Sequence, residues 1–282
     1  MFELKLENDK SNIVDINDGI NYLVTHISGL NPPSAALFTS KSPNRKGSKY
    51  NGSTLDERNV IITIKILGDI EVNRNALYEW VDTEQYVKIC YRNGVKNVYC
   101  EGYVVDCPID LFTKNELFSV AIVCPDSYLK DMNEISIDIT SLLKQFTFPF
   151  AIGAAGVPFS TIKGSNETGI YNSGAETGLQ FKIVCRGDVE NLMIYDANNV
   201  SNQFKINTKL LANSIVIVDT ETNPKTCKEY RADGTVVNLL KFVKNPTWFT
   251  LKKGNNKFGY ITDTDASNVE MNIAFTNKYL GV

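Results

Sequence analysis

"SKSPNRKGSKYNGSTLDERNVIITIKILGDIEVNRNALYEWV", residues 40–81, decides the fold class because it sets three kinds of chain side by side. A polar, glycine-dotted segment carrying Lys41, Arg45, Lys46 and Lys49 runs into Asn59-Val-Ile-Ile-Thr-Ile-Lys-Ile-Leu67, whose β-branched residues suit a half-buried, pleated strand. Asn73 or Glu71 then opens a short helix over Arg74–Val81, where Ala76, Leu77, Trp80 and Val81 follow helical spacing. Phosphate cradles lie between a strand and the helix after it, whereas Gly47 and Gly52 precede the strand, so the order of elements excludes that chemistry. Asn51-Gly52 is a turn dipeptide and predicts a hairpin whose arms reach away from the domain, kept soluble by the cations until something docks on it. A solvated surface loop with no further role is the alternative for the same residues.

Outward from this stretch the strand signal continues. Gln85–Tyr91, Val98–Val105 and Leu117–Cys124 are short runs of β-branched and aromatic residues between Gly, Asn, Asp and Pro, which makes the first half a β-domain with one docked helix. In the second half Leu179–Cys185, Leu192–Tyr195, Gln203–Ile206, Ser214–Val218, Thr235–Val237, Thr247–Leu251 and Val269–Thr276 read as strands. Turns such as Asp196–Asn199, Asp233-Gly234 and Lys253–Asn256 space them as in an antiparallel sandwich. The composition shifts between Pro125 and Gly178, so the chain is expected to be mainly β with two domains, residues 1–135 and 136–282.

Composition limits the function. At 282 residues, 43% hydrophobic and 22% charged, the chain can bury one or two ordinary cores. A formal charge of −3 lacks the basic footprint of tight nucleic-acid binding or of a polybasic membrane anchor. The start, MFELKLENDKSN, carries no signal-peptide pattern, and no run reaches the roughly 20 apolar residues of a spanning helix, so no membrane role and synthesis in a cytosol are expected. The cysteines, Cys90, Cys100, Cys107, Cys124, Cys185 and Cys227, contain no C-x-x-C pair and have one histidine, His26, to join them; neither a metal nor another cofactor is expected. Cys90 and Cys100 could face each other across a hairpin, although reduced core thiols are preferred. No G-x-S-x-G motif accompanies His26, which argues against hydrolase chemistry, and Asp263-Thr-Asp265 reads as a loop rather than a carboxylate pair. Trp248, Tyr260 and Trp80 are the candidate aromatic platforms should the chain bind a sugar, although Trp248 lies in a strand-like run where a core role is usual.

"ISGLNPP", then "GSKYNGSTLDERNVIITIKILGDIEVNRNALYEW", then "EGYVVDCPIDLFTKNELFSVAIVCPDSYLKD" resembles, in this order, the siphovirus-type phage distal tail proteins. The family pattern falls on Gly52, Arg58-Asn59, Asn73-Arg74 with Leu77-Tyr78, Gly102-Tyr103-Val104, and Cys124-Pro125 with Tyr128. The endings Thr250–Phe258 and Lys278–Val282 are similar as well. The resemblance implies a β-rich, ring-forming N-terminal (belt) domain with one short helix and a C-terminal galectin-like β-sandwich. It also implies a hexameric ring joining the tail tube protein to the tail-tip hub, with receptor-binding proteins at the periphery, in a virion assembled in a bacterial host cytoplasm. On this basis Lys46, Gly47, Tyr50 and Gly52 are expected in an assembly arm, with Arg58 and Arg74 fixing strand and helix ends or touching neighbouring subunits. A carbohydrate-binding tail sandwich is the alternative.

Overall fold

The computed structural model describes residues 2–43, 46–109, 116–139 and 167–282, together with the backbone of 143–144 and 160–161. The chain divides into two compact units, Met1–Met132 with Lys278–Val282, and Asn133–Asn277. The last residues, read from the sequence as the end of the second domain, thus pack with the first.

In the first unit the strands are β1 (Glu3–Asn8), β2 (Ile13–Asp15), β3 (Tyr22–Ser28), β4 (Ala35–Ser40), β5 (Lys49–Leu55), β6 (Arg58–Ile66), β7 (Tyr86–Arg92), β8 (Asn97–Asp106), β9 (Leu117–Cys124) and the start of β10 (Leu129–Asp138); one helix, α1 (Ile70–Tyr78), follows β6. All pairings are antiparallel. β1 lies between β2 and β7, β7 pairs β8, and the far edge of β8 is shared by β9 and β10. β9 then pairs β6, and β6 pairs β3. Period-two alternation sends Val60, Ile62, Ile64 and Ile66 of β6 into the core with Phe118, Val120 and Ile122 of β9. Arg58 has the same parity, so the register that buries the isoleucines also buries this arginine.

The helix starts earlier than Arg74. Asp69, in extended backbone, accepts a hydrogen bond from Val72 N and is the cap, while Asn73 donates its side-chain amide to Leu67 O at 2.8 Å. Leu77 is the helix's buried residue, and Val81 reaches the same core from the turn that follows.

The described part of the second unit contains the two-residue pair β11 (Leu143–Lys144) and β12 (Ser160–Thr161), then β13 (Glu167–Asn172), β14 (Gln180–Cys185), β15 (Val189–Glu190), β16 (Met193–Asp196), β17 (Asn199–Lys205), β18 (Lys209–Leu210), β19 (Ser214–Asp219), β20 (Thr226–Tyr230), β21 (Val236–Asn238), β22 (Gly254–Ile261) and β23 (Val269–Tyr279). One sheet runs β23-β14-β19-β20-β21 and another β13-β22-β16-β17. Their inward residues share one core, in which Phe181, Phe249 and Phe258 pack edge to face. The expected strand Thr247–Leu251 is irregular; Leu251 alone bridges to Thr177, while Phe249 and Leu251 still fill the core. The expected turn at Lys253–Asn256 becomes the entry of β22, with Gly254 at φ +98°.

Candidate assembly surface

β4 and β5 form a sheet of their own and, among the described residues, pair with no other strand. Their base is tied to the unit: Asp56 N donates to Ser34 O at 3.0 Å, Ser34 Oγ to an Asp56 carboxylate oxygen at 2.8 Å, and Ser127 Oγ to Asp56 O at 2.6 Å. Beyond that base the hairpin stands in water. Leu37 is 66% exposed, Phe38 53% and Tyr50 60%. The register places Leu37, Tyr50 and Leu55 on one face and Phe38 opposite Gly52 on the other.

The turn lies elsewhere than at Asn51-Gly52. Those residues sit inside β5, where the register slips by one between Phe38 and Thr39, and Gly52 takes the φ of +142° that the bulge requires. The strands are joined through residues 41–48, with Gly47 at φ +86° and Lys46 and Lys49 exposed. Lys46, Gly47, Tyr50 and Gly52 therefore share one projecting arm.

Arg58 and Arg74 do not belong to that surface. Arg58 is 1% exposed, and its guanidinium donates to Gly29 O, to Asn31 O at 2.9 Å, to Ser127 O at 2.8 Å and to Leu280 O at 2.8 Å. It gathers four carbonyls from three backbone segments of its own unit. Arg74 pairs with Glu116 at 3.0 Å, both mostly buried, and fastens α1 beside the entry of β9. The signal for Arg58 was its parity with Val60 and Ile62; read from the sequence as a strand starting at Asn59, it was left outside the alternation.

After α1 the chain makes a tight acidic turn. Glu79, Asp82 and Glu84 are exposed around an open cleft of about 420 Å³ bounded by Tyr78 and Gln85. Glu84 adopts φ +69°, and its backbone N–H donates to Val104 O at 2.8 Å, which ties the turn to β8, where Tyr103 and Val105 are exposed. Among the described residues none of these three carboxylates is ion-paired. The sequence reading passed over this turn because its residues fall between two periodic segments.

In the second unit Tyr260 is 1% exposed, with its hydroxyl 3.1 Å from Val269 O, so it is a core residue and no sugar platform. Trp248 packs edge to face on Phe204 and against the core, with Lys225 Nζ over its ring. A cleft of about 380 Å³ instead opens at Gly169, Tyr171, Asn198, Asn255 and Lys257. Tyr171 and Asn255 are register partners on the outward face of β13 and β22, and a Cβ at Gly169 would meet open space.

All six cysteines are free thiols, and burial pushes Cys107 up to about 11 and Cys227 up to about 12, away from nucleophilic reactivity. Cys90 lies opposite Tyr99 rather than Cys100 in the β7–β8 register. Asp265 caps a short 3₁₀ turn through Ser267 N, and Asp263 accepts from the Asn191 amide at 2.7 Å, so both serve the loop. His26 sits exposed on β3 beside a bulge.

Residues 172–279 match the family described as siphovirus-type tail component, C-terminal domain. No curated protein matches the chain. Among solved structures, the Dit protein (gp 19.1) of phage SPP1, described as a paradigm of hub adsorption apparatus in Gram-positive infecting phages, aligns over 98% of this chain and 99% of that one, with a TM-score of 0.69 at 14% identity. A chain of the phage P2 baseplate in its activated conformation with Ca aligns over 100% of both chains, with a TM-score of 0.54 at 13% identity, and the same baseplate with Sr gives 0.52 at 12%. The family match thus covers residues 172–279, and along its whole length the chain has the fold of the SPP1 Dit and phage P2 baseplate chains.

Proposed function

We propose that the protein forms a hexameric ring at the end of the tail tube and joins the tube protein to the tail-tip hub, with receptor-binding proteins attached at its periphery. One observation carries this: the β4–β5 arm leaves Leu37, Phe38 and Tyr50 exposed on a hairpin that, among the described residues, pairs with no other strand. An isolated two-stranded hairpin is marginal in water, and exposed apolar residues on a projecting element mark a protein-binding surface. A closed ring requires heterologous contacts, one face of each subunit meeting a different face of the next, and a projecting arm supplies one of the two. Synthesis in the host cytoplasm precedes incorporation into the virion, and the role calls for no catalytic step. The charge of −3 suits a conduit that releases DNA rather than holding it. Sedimentation of the purified chain, with negative-stain imaging of assembled tail tips, tests the proposal: six-fold rings are expected, and a monomer in both preparations refutes it.

A second role, saccharide binding by the sandwich, is favoured by the Tyr171 cleft rather than by Trp248 or Tyr260. An exposed aromatic ring, open space over Gly169 and the amides of Asn198 and Asn255 suit stacking and hydrogen bonding to a sugar. Glycan-array binding abolished by Tyr171→Ala supports it, and a blank array with the wild-type protein removes it.

A further inference from the structure

The geometry points to the acidic turn of a second copy of this chain as the seat of the β4–β5 arm. The inference rests on the ring proposed above and adds to it the identity of the receiving surface. Between Pro32 and Leu55 there is no carboxylate, and Lys41, Lys46 and Lys49 are all exposed at the distal end of the arm. From Asp69 to Glu84 the sequence holds five carboxylates, Asp69, Glu71, Glu79, Asp82 and Glu84, against one cation, Arg74, a balance of 1 − 5 = −4. Arg74 is already held by Glu116, and among the described residues no cation is ion-paired with Glu79, Asp82 or Glu84.

The apolar parts match in kind. The arm offers Leu37, Tyr50 and Leu55 on one face. Beside the turn stand Tyr78 of α1 and Tyr103 and Val105 of β8, all exposed. The turn is also built to hold its shape: Glu84 keeps a left-handed backbone conformation that non-glycine residues seldom adopt, fixed by its hydrogen bond to Val104 O and by the bond from Gln85 N to Asp82 O at 3.1 Å. An acidic cleft and a tethered basic arm on the same chain are two different faces, as a heterologous ring needs, and opposite charge fixes which face meets which. The lysines pair with Glu79, Asp82 and Glu84 at the rim while Leu37 and Tyr50 cover the aromatic and aliphatic residues beside them.

Charge reversal on each side, made in the full-length chain, tests this. Lys46→Glu with Lys49→Glu gives an acidic arm, and Glu79→Lys with Glu84→Lys gives a basic turn. Each double variant alone should lose ring formation, with an association constant at least about tenfold below wild type at low salt. Mixing the two at equal amounts should restore rings in which the variants alternate, because the acidic arm of one then meets the basic turn of the other and the unaltered arm meets the unaltered turn. Unchanged thermal unfolding of each variant excludes misfolding as the cause, and restoration on mixing cannot come from a misfolded chain. If wild type forms rings but the variants do too, or the mixture stays dissociated, the acidic turn is not the seat and the ring itself stands. If wild type forms no ring alone or on tail tips, both fall.

Discussion

The arm β4–β5 and strand β6 are separated by only Asp56 and Glu57, and both carry branched or aromatic side chains, yet their surroundings are opposite. β6 lies between β3 and β9 and buries every second side chain; the arm pairs with itself and leaves its largest side chains in water. Residues that stabilise the first unit and residues left exposed to water are therefore neighbours in the chain. Apolar content alone does not separate them. What separates them is whether a second strand is available on each side.

The sharpest break of this comparison is at Arg58, the residue where the two regions meet. Arg58→Ala removes the donor shared by Gly29, Asn31, Ser127 and Leu280 carbonyls, and is expected to cost on the order of 3 kcal/mol or more in chemical unfolding. An unchanged urea midpoint would mean that the clamp is dispensable. Next in size is Gly29→Ala: Gly29 has φ +87°, and an added Cβ would lie 2.0 Å from Asn59 O at the start of β6, so a loss of roughly 1–3 kcal/mol is expected from calorimetry. On the arm the expectation reverses. Leu37→Ser with Tyr50→Ser should shift unfolding by no more than about 0.5 kcal/mol while weakening self-association, read by unfolding and sedimentation on the same sample. A large stability loss there would show that the arm packs on its own chain.

The smallest effect concerns pH. Burial alone would raise the Asp18 carboxyl, but backbone N–H groups of Tyr22, Ile20 and Asn21 and the Asn21 amide outweigh it and hold the group below its ordinary value. A carboxylate more acidic folded than unfolded adds stability above its unfolded pKa of about 3.9 and loses it as the pH falls through the lower folded value. Asp18→Asn should therefore lessen the fall in thermal stability below pH 4 slightly and leave the neutral-pH response to arm mutations intact; an identical acid profile for the two proteins would remove Asp18 from the account.

Strands β6, β7, β8, β9, β14, β16 and β19 were legible in the sequence to within a residue or so, because alternation at half-buried positions is a local property of the chain. β1, β10 and β20 were not: Glu-Leu-Lys-Leu-Glu-Asn, Leu-Lys-Asp-Met-Asn-Glu and Thr-Cys-Lys-Glu-Tyr are too polar to declare themselves, and become strands because a paired neighbour satisfies their backbone groups. The helix start was misplaced because Asp69 and Asn73 are both acceptable caps and only the backbone shows which one accepts from a free N–H. Arg58, a surface residue by composition, was drawn inside by its parity.

The sequence by itself determined the mainly β class and the resemblance to distal tail proteins, since periodicity, turn residues and ordered motifs are written along the chain. Only the tertiary structure decided that Asn51-Gly52 is a bulge and not a turn, that Tyr260 is core, that Arg58 binds four carbonyls, and that Glu79, Asp82 and Glu84 lie exposed on one turn tied to β8. Each of those depends on which segments, distant in sequence, come within hydrogen-bonding or van der Waals reach, and a one-dimensional pattern carries no such distance.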